Sequence, residues 1–198
     1  MTMNTKERLS ENHKIKLLYK TILIVSGLVI LATTMYGLIE SIRGYFTTGV
    51  VTVGEILVGI EWPLPYFAKP VTYLSFAIVA FWFSLVKLYQ HNIHNFSNLR
   101  ITLLSFMALL VAFGAAYEVL YNFTVWGALM SAEAFRGYVN PDFLNIPYPN
   151  PKIPWNLVFA TKFFIALFVI SSYSWLILQR RHSLGEEKVR TLKRRTVQ

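Results

Sequence analysis

The sequence predicts an all-α polytopic membrane protein: a bundle of four transmembrane helices with two longer extracytoplasmic loops. Hydrophobic residues make up 55% of the 198-residue chain, a high fraction for a soluble domain. Charged residues cluster at the two ends and in short interruptions, so long uncharged runs lie between them. Runs of about 17–25 apolar residues are long enough to cross a bilayer as helices, and the chain contains four such runs.

Charged residues set the limits of the four spans, and the whole chain is predicted to form one membrane domain. The spans are predicted over residues 21–39, 70–86, 101–126 and 155–178. Outer loops are predicted at 40–69 and 127–154, and basic tails at 1–20 and 179–198. The first apolar run is longer than a signal-peptide core and no small-residue cleavage site follows it, so we expect it to be a retained span.

The distribution of Lys and Arg predicts the orientation in the cell membrane. With both termini in the cytoplasm, fourteen of these residues lie inside, and only Arg43, Lys69, Arg136 and Lys152 lie outside. Cytoplasmic segments carry the excess of basic residues in multi-pass proteins. The basic tails are therefore expected to contact anionic lipid headgroups. Nucleic-acid binding is not expected, because these tails lack the stacking aromatic side chains of such surfaces, Tyr19 at the membrane edge excepted.

Single-cysteine labelling tests this topology, because the chain contains no native cysteine. Cysteines introduced at Ser10, Ser97 and Asn145 are expected to react differently with an impermeant thiol reagent in sealed cells. Only the cysteine at position 145 should be labelled from outside. Labelling at position 97 would overturn the predicted topology.

Two charged residues lie within the predicted spans, Glu118 in the third and Lys162 in the fourth. Glu118 follows Arg100 by eighteen residues and Lys162 precedes Arg180 by eighteen, which is about 27 Å along each helix. Because consecutive antiparallel helices usually pack together, we predict that the two side chains meet as an ion pair, directly or through a water, near the outer membrane edge. Two alternatives stay open: a proton or ligand site, or separate extension of each side chain to the outer headgroups.

A proline-rich segment, PYPNPKIPW, precedes the fourth span. Proline fixes φ and lacks a backbone donor, and it favours extended geometry in the residue before it. The sequence therefore predicts a stiff, extended outer loop, either a rigid connection or a segment that docks on a partner subunit. The candidate docking residues are Pro147, Tyr148, Pro149, Pro151, Pro154 and Trp155. Asn156 is a candidate cap for the helix that follows.

Other local patterns predict packing rather than chemistry. The segment 44–61 of the first outer loop is β-branched and glycine-rich, which is compatible with a small hairpin or with a helix in the membrane interface. Gly27 and the run Gly114-Ala115-Ala116 indicate close helix approach, and the serines of FVISSYSWL indicate interhelical hydrogen bonds.

The sequence does not predict a resident cofactor or metal. Cysteine is absent, and the four histidines (His13, His91, His94 and His182) fall in predicted inner segments. His91 and His94 are three residues apart and could share a helical face, but no carboxylate or thiol lies beside them. Haem or copper bound by this chain alone is therefore not expected.

The segments YEVLYNFTVWGAL and NPDFLNIPYPNPKIPWNLVFATK resemble small four-span membrane proteins of archaea. The resemblance covers roughly the C-terminal half of the chain. It implies an accessory member of an energy-converting membrane assembly, such as a respiratory oxidase or the archaeal ammonia monooxygenase. It implies no functional residue.

Two functions are compatible with these patterns. The first is an accessory, non-catalytic subunit that joins other integral membrane subunits through its spans and the Pro-rich outer loop. The second is a small homo-oligomeric transporter or channel that uses Glu118 and Lys162. An enzyme acting at the outer face would need a catalytic constellation that the sequence does not display.

Overall fold

The computed structural model describes residues 5–49, 54–59, 69–93, 96–137 and 156–195, and these ranges form an all-α structure without strands. Its helices are α1 (Thr5–Thr48), α2 (Glu55–Gly59), α3 (Pro70–Ile93), α4 (Asn98–Phe135) and α5 (Leu157–Arg195). The long helices α1, α3, α4 and α5 each contain a segment long and apolar enough to cross a membrane. The predicted fold class, a polytopic membrane protein with four spans, is confirmed.

The long helices extend beyond the predicted apolar runs. α1 has 44 residues, about 66 Å of helix, whereas the hydrocarbon core of a bilayer is about 30 Å thick. Much of the predicted N-terminal tail and the start of the predicted first outer loop belong to α1, and α5 continues through the basic tail to Arg195. Lys, Arg and Glu are good helix formers, and no proline interrupts these flanking segments. Hydropathy located the apolar part of each long helix but not the residues at which the helix begins and ends.

The four long helices lie in an open row. Within the described residues, α1 packs along α3, α3 packs along α5, and α5 packs along α4. The row is held together most extensively by its α1–α3 and α4–α5 contacts. Because α1 and α4 do not close the row into a ring, many of their large apolar side chains are exposed. In a membrane these faces are suited to contact with lipid chains.

The short helix α2 fits between α1, α3 and α5. Its Leu57 and Val58 are buried and form one cluster with Val71 and Leu74 at the start of α3. The described residues of the segment 44–61 therefore contain the end of α1 and α2 but no hairpin. Since Val58 is completely buried, α2 is a wedge packed among α1, α3 and α5, and its position in the membrane interface stays a prediction.

Asn156 caps α5, as predicted. Its Oδ1 accepts hydrogen bonds from the backbone N–H groups of Val158 (2.9 Å) and Phe159 (3.3 Å). These groups belong to the first turn, whose N–H donors have no partner within a helix. The cap fixes the start of α5 beside the α2 cluster, to which Val158 and Phe159 also contribute.

The small-residue prediction for α4 is correct for one position and wrong for another. Ala115 is buried, only 2% exposed, and α5 is the long neighbour of α4. Gly114 is exposed, and a Cβ added to it would meet nothing within 4 Å. Consecutive helical residues point about 100° apart, so only one of the two can face α5. In α1, Gly27 does approach a neighbour, since a Cβ there would lie 3.4 Å from the Phe81 ring.

Candidate functional site

Lys162 lies in the second turn of α5 and is half-buried. Its Nζ donates a hydrogen bond to Thr72 Oγ1 of α3 at 2.6 Å. The hydroxyl of Ser75 lies 3.4 Å from the backbone carbonyl of Lys162 and 2.8 Å from that of Val71, and donates toward both. These contacts join the ends of α3 and α5 that lie near α2.

Glu118 lies on α4 and is also half-buried. Ion pairs in which both partners are described residues are Glu40–Arg43 and Glu133–Arg136, each formed within one helix. A direct ion pair between Glu118 and Lys162 is therefore not among the contacts of the described residues, and Lys162 contacts α3 instead. A meeting of the two side chains through a water stays a prediction. Within the same ranges the Glu118 carboxylate makes neither a hydrogen bond nor an ion pair.

Two features give the physical reason. The Lys162 side chain is directed to α3, where it bonds to Thr72, and the register of α4 against α5 offsets Lys162 from Glu118. Gln179 Nε2 of α5 donates to Ser105 Oγ of α4 at 3.3 Å, which places these residues at one level. Glu118 follows Ser105 by thirteen residues. Because α4 and α5 are antiparallel, the residue of α5 at the level of Glu118 precedes Gln179 by thirteen residues, and this residue is Ala166. Lys162 is one turn beyond this level, about 6 Å. Equal spacing from Arg100 and Arg180 predicted a common level, but those arginines do not define the helix register.

Asn122 completes a polar layer at this end of the spans. It lies seventeen residues from Ser105, a spacing that places it at the level of Lys162 on α5. Asn122 is 2% exposed, and its Nδ2 has no hydrogen-bond partner within the described structure. Neither Asn122 nor Thr72 was predicted from the sequence to belong to this site. The signal for Asn122 was an amide side chain inside a long apolar run. Buried polar groups are normally hydrogen-bonded, so such an amide indicates a polar contact.

A second polar contact joins α3 and α5 nearer their other ends. Trp82 Nε1 donates to Ser174 Oγ at 2.7 Å, which confirms the prediction that a serine of FVISSYSWL makes an interhelical hydrogen bond. The hydroxyl of Ser171 instead donates to the carbonyl of Leu167 in its own helix, at 2.6 Å. Both serines serve packing between and within helices.

The predicted docking loop, which comprises Pro147, Tyr148, Pro149, Pro151, Pro154 and Trp155, lies outside the described residues. Its role in docking therefore stays a prediction. Among the residues that the structure does describe, no group of three or more His, Asp or Glu side chains is placed to hold a metal ion.

Comparison of the chain with protein-family models, characterised proteins and solved structures found no match. The resemblance to archaeal four-span proteins therefore stays an expectation, and the chemistry of the site has to be derived from its own residues. Lys162 carries three N–H donors, of which Thr72 accepts one. The arrangement can therefore bind an anionic group beside α3, and the Glu118 carboxylate can accept from a donor beside α4.

Proposed function

We propose that this protein is an accessory, non-catalytic subunit of a multi-subunit integral membrane complex. It docks on neighbouring subunits through its spans and through the Pro-rich outer loop. The observation that carries the proposal is the separation of Glu118 from Lys162. Each lies within a transmembrane helix, and neither has a partner of opposite charge in the part of the chain that the structure describes.

Energetics support an external partner for each charge. An isolated charged residue at the centre of a membrane helix costs about 2.5–3.5 kcal/mol on insertion scales, and less toward the interface. Intramembrane charges therefore usually pair, and they usually face the protein interior. A carboxylate from a neighbouring subunit fits the remaining donors of Lys162, and a cationic or hydroxyl group fits Glu118.

The surface of α4 beside Glu118 also favours a protein neighbour. Tyr117 and Tyr121 stack with their ring centroids 6.3 Å apart, and they are 64% and 45% exposed. Tyrosine is enriched at protein interfaces because its ring supplies apolar area and its hydroxyl still needs a partner. A carboxylate next to two stacked tyrosines is better suited to a helix that carries polar groups than to lipid chains alone.

The lack of a partner of opposite charge for Glu118 and Lys162 within the described residues also supports the alternative function, a homo-oligomeric transporter or channel. In a homo-oligomer, Glu118 of one copy could pair with Lys162 of another, and the two charges could line a path for an ion or small solute. A protein with this arrangement would act as a small transporter or channel. It differs from the first proposal in requiring no other polypeptide.

Co-purification separates the two functions. The protein, carrying a tag, is extracted from its native membrane with a mild detergent, and the polypeptides that travel with it are identified. We expect different integral membrane proteins in a single large species, and we expect Glu118→Gln and Lys162→Met each to reduce their recovery severalfold. Glu133→Gln serves as the matched control, because Glu133 pairs with Arg136 on its own helix.

Two results would contradict the accessory-subunit proposal. Recovery of this chain alone, together with exchange between differently tagged copies, would favour the homo-oligomer. Full recovery of partner subunits with both variants would show that the intramembrane charges do not contribute to docking.

A further inference from the structure

An apolar groove of about 530 Å³ runs between α3 and α4 across the surface of α5. It exists because α3 and α4 both pack against α5 without extensive contact between them in the described residues. We refer to it as the α3–α4 groove. Its walls include Val86 and Tyr89 of α3, Leu104 and Val111 of α4, and Leu167 and Ile177 of α5.

We propose that the α3–α4 groove binds a phospholipid with an anionic headgroup. A hydrocarbon chain occupies the groove, and the phosphate lies between Arg100 and Arg181 at the end where α3 finishes and α4 begins. This site is independent of the docking proposed above, since it uses neither Glu118 nor Lys162.

The lining of the groove suits hydrocarbon rather than a polar solute. Trp82 and Ser174 both contribute to its wall, but their polar groups bond to each other at 2.7 Å. The hydroxyl of Ser171 is likewise bonded to the backbone of α5. An apolar chain can therefore fill the groove without leaving a buried polar group unpartnered.

Positive charge is concentrated at one end of the groove. Arg181 Nη1 donates to the backbone carbonyl of Phe96 at 3.1 Å, and Phe96 itself lines the groove. Arg100 precedes Leu104 by four residues and Val111 by eleven, so it lies on the same helical face as these lining residues. Its guanidinium is exposed and makes no hydrogen bond or ion pair within the described ranges.

The first turn of α4 adds to this charge. α4 begins after its N-cap, Ser97, whose side chain accepts from the backbone N–H of Arg100. Helix N-termini carry a partial positive charge and favour phosphate groups. Two arginines and a helix N-terminus therefore meet at the mouth of an apolar groove, which is the charge pattern that an anionic lipid complements.

The length of the groove matches one leaflet. From Arg100 to Val111 is eleven residues, about 16 Å along α4, and half of a hydrocarbon core of about 30 Å is about 15 Å. The groove thus runs from headgroup level to the middle of the membrane. A transmembrane helix from another subunit would require a surface across the full thickness, so the groove fits a lipid chain better than a helix.

Lipid-dependent thermal stability of the purified protein tests the site. The melting temperature is measured in detergent with phosphatidylglycerol, with phosphatidylcholine, and with inorganic phosphate at the same concentration. We expect phosphatidylglycerol to raise the melting temperature at concentrations at least tenfold lower than phosphatidylcholine, and we expect no rise with phosphate alone. The double variant Arg100→Gln/Arg181→Gln should lose this preference, because each basic residue near a headgroup strengthens binding severalfold.

Matched variants separate the contribution of the lipid headgroup to binding from the contribution of the lipid chain and from the effect of net charge. The double variant Arg43→Gln/Arg136→Gln removes the same amount of positive charge near the C-terminal ends of α1 and α4, away from the mouth of the groove. It should keep the preference for phosphatidylglycerol. Ala108→Trp fills the groove, whose wall includes Ala108, and should weaken both lipids, whereas Ala128→Trp at an exposed position should not. Equal effects of the two lipids on the unmodified protein, an effect of phosphate alone, or a preference that survives the Arg100/Arg181 change would overturn the proposal.

Discussion

Gly54→Ala is expected to lower the thermal stability of the purified protein more than alanine at any other described glycine. Gly54 has φ +79°, which L-residues adopt at a cost, about 1–2 kcal/mol. An added Cβ would also overlap the ring of Phe159, which packs against the α2 cluster. Overpacking of this kind costs about 1–3 kcal/mol, so the total expected loss is about 2–5 kcal/mol.

Gly49→Ala is the control that separates the two contributions. Gly49 also has a positive φ, +71°, but nothing lies within 4 Å of the position that its Cβ would take. It should therefore show the backbone cost alone. If both variants melt at the same temperature in detergent, Phe159 does not hold the chain against α5 at this point, and the wedge role of α2 is wrong.

Ala115→Leu is expected to have the second largest effect. Ala115 is almost completely buried, and α5 is the long helix along which α4 packs in the described structure. A larger side chain forces the two helices apart, at a cost of about 1–3 kcal/mol. No other long helix packs extensively on α4 within these ranges, so the contacts between α4 and α5 should be lost together. The measurements are melting temperature and the reactivity of a cysteine placed at Ser105.

The same substitution at Ala128 provides the comparison, because Ala128 is exposed on the same helix. Ala128→Leu should leave the melting temperature and the reactivity at position 105 close to their original values. An unchanged protein with leucine at position 115 would contradict the close approach of α4 and α5. A large loss with leucine at position 128 would indicate a contact of the C-terminal part of α4 that the described residues do not contain.

The sequence located the charges of the candidate site but not their neighbours. Hydropathy placed Glu118 and Lys162 inside spans, because a single charge interrupts an apolar run visibly. Their levels were then compared by counting from Arg100 and Arg180. The Ser105–Gln179 contact shows a register in which Lys162 lies one turn further along, and its side chain meets Thr72. A count of residues within each helix cannot reveal how far one helix slides along another.

By itself, the sequence determined that the chain is helical, that it contains four membrane-spanning segments, and that Asn156 caps α5. Each of these depends on neighbours close in sequence: apolar length, helix propensity, or a side chain that reaches its own first turn. Only the tertiary structure decided that the helices form an open row, that α2 wedges between α1, α3 and α5, and that Ala115 rather than Gly114 is buried in α4. Those outcomes depend on packing between residues far apart in sequence, since each apolar face could be covered equally well by another helix or by lipid.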